Sequence, residues 1–221
     1  MVGTFCQLKL QIGYRPFEVR SAGLILAVSR NAKNDDDGVV GIEVRWLLQS
    51  PMVKLHDTNC RGRCRHQSAE EHTKTTQLVF PYRGVYVRHL GGDPTVAEAN
   101  QVLFFNAMEG YTVSHPVEGG DASLTLILDP SQLLELAPRD LLRNGPEAVF
   151  RPKRLGIDAR TQVLVALLRY SLREGMAEPL EAESLALTLV RRVARAADRE
   201  GARSKLRPQA VGGPGKARAC Q

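Results

Sequence analysis

The chain has 221 residues, 43% of them hydrophobic and 24% charged, which suits one or two globular domains and excludes a disordered or fibrous chain. No apolar run approaches the roughly 20 residues that cross a bilayer as a helix. Four Cys are too few for a disulfide scaffold, so a reducing cytoplasm is expected. The net charge of +6 suggests nucleic acid, but from Arg199 onward six cations face one acid, so the basicity belongs to the tail.

In chain order, residues 1–51 carry the weakest signals. Residues 24–28 and 39–48 read as strands around a polar, Asp-rich turn at 31–38. Lys9, Arg15, Glu18 and Arg20 interrupt the apolar stretch, so no signal peptide is read. The expectation is that Met52 is the natural start and 1–51 an over-extended reading frame.

Residues 56–72 gather soft and borderline metal ligands: Cys60, Cys64, His66 and His72, with Glu70 and Glu71 among them. Thiolate and imidazole are the donors zinc prefers, so zinc is the ion this set would take. The spacing Cys-x3-Cys-x-His-x5-His fits no standard zinc module, and a polar loop with plain reduced Cys fits the same residues. A degenerate metal motif is a third reading, with His66 and Glu70 or Glu71 as its early part and His115 as its later ligand.

Residues 76–130 organise the rest. Short Val-, Leu-, Phe- and Tyr-rich runs are punctuated by Gly, Pro, Asn and Asp about every ten residues, the rhythm of an antiparallel sandwich or barrel. A parallel sheet would need helical crossovers, for which there is no room. In 84–90, Val85, Val87 and His89 share one face, and Tyr86, Arg88 and Leu90 the other. Residues 102–106 are apolar on both faces and read as a strand buried on both sides. In 122–129, Leu124, Leu126 and Leu128 oppose Ser123, Thr125 and Ile127, and the polar-lined face is where a ligand would sit. One barrel core holding Phe104, Phe105, Leu124, Leu126, Val85 and Val87 is expected.

The runs Val79-Phe80-Pro81-Tyr82-Arg83-Gly84-Val85-Tyr86-Val87-Arg88-His89, Leu103-Phe104-Phe105-Asn106-Ala107 and Ser114-His115-Pro116-Val117-Glu118-Gly119-Gly120-Asp121 carry a resemblance. They resemble the N-terminal cupin domain of AraC-type transcriptional regulators, over residues 54–199. Met108 stands where that family usually has Gly. The resemblance implies a cupin-like antiparallel β-barrel at 52–137 that senses a small-molecule effector, and a homodimer. Arg83, Arg88, His89 and His115 are the candidate ligand-binding residues. Arg83 is either an anion anchor at the barrel mouth or a turn residue paired with an acid such as Glu109. His115 either holds metal or an effector carboxylate, or closes a strand on backbone.

Beyond the barrel, Asp129-Pro130-Ser131-Gln132 reads as a helix start, with Asp as N-cap and Pro at the first position. Residues 138–157, with Pro138, Gly145, Pro146, Pro152 and Gly156, read as a linker. Residues 158–200 read as a helical hairpin: Asp158 caps the first helix, Gly175 ends it, and Pro179 opens the second. Leu185, Leu189 and Val193 lie on the second helix's apolar stripe and are the expected dimer interface. Residues 201–221 read as a disordered basic tail, giving at most weak, salt-sensitive DNA contact.

The predicted class is thus mainly β with C-terminal helices. The predicted function is the effector-sensing, dimerising part of a transcription regulator, truncated before the helix-turn-helix domain through which the family reads DNA; it is not an enzyme. The alternatives are a cupin-type metal-dependent enzyme and a Cys/His metal-sensing module.

Overall fold

A computed structural model describes residues 41–206 apart from 62–65, 144 and 146. The strand expected at 24–28, Cys64 and the tail beyond Leu206 lie outside the described residues. Nine strands and three α-helices follow in order. They are β1 (Ile42–Gln49), β2 (Val53–Cys60), β3 (Gln77–Arg83), β4 (Tyr86–Leu90), β5 (Asp93–Ala97), β6 (Gln101–Phe105), β7 (Thr112–Ser114) and β8 (Asp121–Leu128), then α1 (Pro130–Leu136), β9 (Arg154–Gly156), α2 (Ala159–Arg173) and α3 (Pro179–Leu206).

The strands form two antiparallel sheets, one ordered β1-β2-β8-β3-β6-β9 and the other β5-β4-β7. The antiparallel sandwich or barrel expected from the sequence is thus present as two facing sheets. Helices cover the other side of the large sheet, where α2 packs on α3 and against β1 and β3, and α3 reaches α1 and β9. The large sheet is the middle of three layers, so β6 is buried on both faces, as its uninterrupted apolar run requires.

Alternation splits the apolar residues into two cores, not one barrel core. Leu55, Leu78, Phe80, Phe104, Leu124 and Leu126 face the helices together with Leu168, Leu189 and Val193. Val79, Leu103 and Phe105 face the small sheet, joining Tyr86 and Ala97. Val85 and Val87 are only half-buried, because β4 turns Tyr86 and Arg88 inward instead.

Residues 138–157 do not form a free linker. Leu141, Leu142, Ala148, Phe150, Leu155 and Ile157 are buried in the main core. β9 pairs with β6, and Phe150 stacks on Phe104 at 4.2 Å. Likewise, β1 lies within residues 1–51 and pairs with β2 from Ile42↔Cys60 to Gln49↔Lys54, so the sheet begins before Met52. α3 continues to Leu206, past the expected boundary at 200, because no Pro interrupts the helical run there.

The helix signals appear where local chemistry put them. Asp129 accepts from Ser131 N at 3.0 Å with Pro130 at the first position of α1. Asp158 accepts from Thr161 N at 2.9 Å at the start of α2. Gly175, at φ 65°, takes the left-handed conformation just past the end of α2. Met108 sits at φ 59°, a left-handed position where a Cβ costs about 1–2 kcal/mol, which accounts for the Gly usual there in the family it resembles.

An ionic staple fixes α2 to the large sheet. Asp57, 6% exposed, accepts from Tyr82 Oη at 2.6 Å, Arg169 Nε at 3.1 Å and Arg173 Nη1 at 3.4 Å. Arg169 also lies 4.0 Å over the Tyr82 ring. Burial, then the bond to Asp57, push the Tyr82 hydroxyl up to about 12. Asp57→Asn should cost about 2 kcal/mol in urea unfolding, because charge-assisted bonds are worth more than neutral ones while the partly exposed arginines recover hydration. An unchanged midpoint would show the staple to be energetically idle.

Candidate functional site

Between the two sheets lies a cavity of about 220 Å³. Its floor comes from alternate residues of three strands: His56, Thr58 and Cys60 on β2, Ser123 and Thr125 on β8, and Gln77 and Val79 on β3. Tyr86, Tyr111, Val113 and His115 close it from the small-sheet side. The polar face of β8 expected to meet a ligand is thus the face that meets this cavity. Leu124 and Leu126, on its other face, are in the helix-side core.

Three segments converge at one end. Gly84, at φ 69°, follows β3, and a Cβ there would meet Gly120 O at 2.1 Å. Gly120, at φ 70°, precedes β8, and a Cβ there would meet Cys60 O at 2.1 Å. The Arg-Gly and Gly-Gly-Asp pairs of the sequence therefore permit close backbone packing. That packing sets Cys60 opposite Asp121 across the β2–β8 ladder.

His115 arrives from the end of β7. Its Nδ1 lies 2.6 Å from Asp121 Oδ2 and its Nε2 lies 3.8 Å from Cys60 Sγ. The Asp121 carboxylate first, then Cys60, hold the His115 imidazole up at about 10. Tyr86 is 6% exposed in the cavity wall, and burial holds its hydroxyl well above the ordinary tyrosine value.

His56 behaves oppositely. It packs edge-on against Trp46 at 4.9 Å and meets Thr58 Oγ1 at 3.2 Å. Burial pushes its pKa from 6.5 down to about 4, against the pull of neighbouring Asp57. The folded state therefore binds this proton less readily than the unfolded chain. Its contribution to stability is whole above about 6.5 and is lost as pH falls toward 4, by roughly 3 kcal/mol at most. Urea midpoints of wild type and His56→Gln should diverge between about pH 7.5 and about pH 5, the wild type losing more. Parallel losses would show that His56 titrates normally.

Of the four residues expected to bind ligand, His115 is the one lining this cavity. Arg83 is exposed, donates to Asn59 Oδ1, and borders a separate polar groove with Arg61 and Gly119. Arg88 is fully buried and acts as a strap: it donates to Phe104 O at 2.6 Å and Lys153 O at 2.9 Å and lies 4.3 Å over the Phe105 ring. Burial lowers its pKa from the ordinary guanidinium value. His89 is half-buried, its Nε2 2.9 Å from Ser114 Oγ and its Nδ1 3.4 Å from Gln67 Nε2.

The expected metal set is not assembled among the described residues. Cys60 turns toward His115 and Asp121, while His66 and His72 are exposed on the following segment. Alternation on β2 decides this, since Cys60 must share the cavity face with His56 and Thr58. The residues expected to form a dimer interface are packed within the chain itself. Leu189 and Val193 are 0% and 2% exposed inside the main core, and Leu185 is half-buried against it. The apolar stripe of α3 is consumed by its own sheet and helix partners. Exposed apolar residues instead stand on α2, at Val163, Leu167 and Tyr170.

Sequence reading missed Asp121 as a site residue, although it stands in the quoted Gly-Gly-Asp run. It also put Tyr86 on the wrong face for the core. No helix among the described residues is long and apolar enough to cross a membrane.

No family model matches the chain, and no curated protein matches it. Solved structures similar to it include a cupin superfamily protein from Desulfitobacterium hafniense DCB-2, 16% identical over 43% of this chain and 83% of that one, TM-score 0.33. Another is a cupin domain from Bordetella pertussis Tohama I, 8% identical over 42% of this chain and 97% of that one, TM-score 0.34. The Clostridium difficile EutQ protein is 10% identical over 39% of this chain and 67% of that one, TM-score 0.34. Likenesses this distant carry no functional weight. The architecture itself is two facing antiparallel sheets followed by C-terminal helices, which agrees with the predicted class of mainly β with C-terminal helices.

Proposed function

We propose that this chain is the effector-sensing and dimerising domain of an AraC-type transcriptional regulator, with a small organic effector held between the sheets. The observation that supports this most is the cavity itself. The Ser-His-Pro…Gly-Gly-Asp motif that carries the sequence resemblance supplies two of its wall residues, His115 and Asp121. Its lining mixes apolar and aromatic groups with a few convergent polar ones, the usual make-up of a ligand pocket, and its volume, below the roughly 300–1,000 Å³ of drug-sized sites, limits the effector to a small metabolite. In this reading the second copy meets the exposed face of α2, where Val163, Leu167 and Tyr170 are spaced i, i+4, i+7.

The test is saturation-transfer NMR against a set of small aromatic and carboxylate metabolites. Binders should appear, and Thr125→Leu, which fills the cavity from β8, should weaken them at least tenfold while the fold stays intact. Binders indifferent to that change, or none at all, would count against the reading.

A further inference from the structure

We propose that Cys60, His115 and Asp121 form a divalent-cation site of zinc type in the wall of the inter-sheet cavity. This goes beyond effector sensing and does not depend on it. One donor atom from each residue lies within 4.8 Å of the other two. The set combines a sulfur, an imidazole nitrogen and a carboxylate oxygen, which are the donors zinc takes.

The spacing fits as well. Zinc–sulfur bonds of about 2.3 Å and zinc–nitrogen bonds of about 2.0 Å, at a tetrahedral angle, put the two donors about 3.5 Å apart. Cys60 Sγ and His115 Nε2 lie 3.8 Å apart, a few tenths of an ångström wider. Asp121 accepts from Nδ1 at 2.6 Å, which turns Nε2 toward the sulfur. Carboxylates commonly hold metal-binding imidazoles in this way.

The fold holds all three in place. Cys60 and Asp121 are register partners on β2 and β8, and the glycine contacts of Gly84 and Gly120 lock that end of the ladder. Cys60 Sγ and His115 Nε2 ligate directly, with Asp121 either holding Nδ1 or turning in as a third donor, and in both arrangements a coordination position is left free. Because all three residues line the cavity, that position opens into it, where water or an oxygen-bearing molecule would complete the shell.

The test is a cobalt(II) titration of the full chain, followed through the thiolate-to-cobalt charge-transfer band. The band should saturate at a single equivalent and be bleached by zinc. Cys60→Ser should abolish it, and Cys64→Ser should leave it unchanged. Asp121→Asn should weaken binding about 10- to 100-fold, whether the carboxylate ligates or orients. No band, or a band lost in Cys64→Ser and kept in Cys60→Ser, would overturn the proposal. A second measurement needs no variant: in the wild type, zinc should shield Cys60 from iodoacetamide, read by peptide mass spectrometry. Alkylation of Cys60 at the same rate with and without zinc would overturn it too.

Discussion

Phe104→Ala should lower stability by about 3–5 kcal/mol, the cost of emptying a large aromatic site in a core that cannot collapse around it. Phe104 is 1% exposed. Its ring lies 4.2 Å from Phe150, and its backbone oxygen accepts from the buried Arg88. It sits on the helix side of β6, so the vacancy would lie between the large sheet and the segment that carries Phe150. Urea unfolding followed by circular dichroism measures the loss directly. A wild-type midpoint would mean that Phe104 is not in the main core, and that residues 138–157 do not pack as described.

Leu189→Glu should abolish the folded state outright. Leu189 is 0% exposed in the core cluster that joins α3 to the large sheet. The change removes a buried Leu, worth about 2–5 kcal/mol, and puts a carboxylate among the apolar side chains of the main core. The sum meets or exceeds the whole stability of many domains, which is about 5–15 kcal/mol. The expected outcome is lost cooperative melting, not a clean monomer. Leu167→Glu, at a position 49% exposed on α2, makes the contrast. It should leave the fold intact and, if α2 is the dimer seam, halve the mass in sedimentation equilibrium. A folded Leu189→Glu of halved mass would return the interface to α3.

Local chemistry was enough for much of the architecture. The alternation of β8, the doubly buried β6, the caps Asp129 and Asp158, and the stop at Gly175 each depend on a few adjacent residues. A strand's two faces and a helix's first turn are decided within that range. The polar face at Ser123 and Thr125, which lines the cavity, was legible for the same reason.

What only the tertiary structure decided is which distant segments meet. The sequence shows that β8 has an apolar and a polar face, but not that helices cover one and a second sheet the other. Hence one barrel core was expected where two cores lie on opposite sides of one sheet. Amphipathic periodicity shows that α3 must bury a stripe, but not whether its own sheet or a second copy buries it. His115 and Asp121 are near neighbours in sequence, but Cys60 precedes them by more than fifty residues, and cross-strand register alone brings it opposite Asp121. Metal-ligand spacing read along the chain grouped Cys60 with Cys64, His66 and His72, because proximity in sequence is visible there and proximity across a sheet is not.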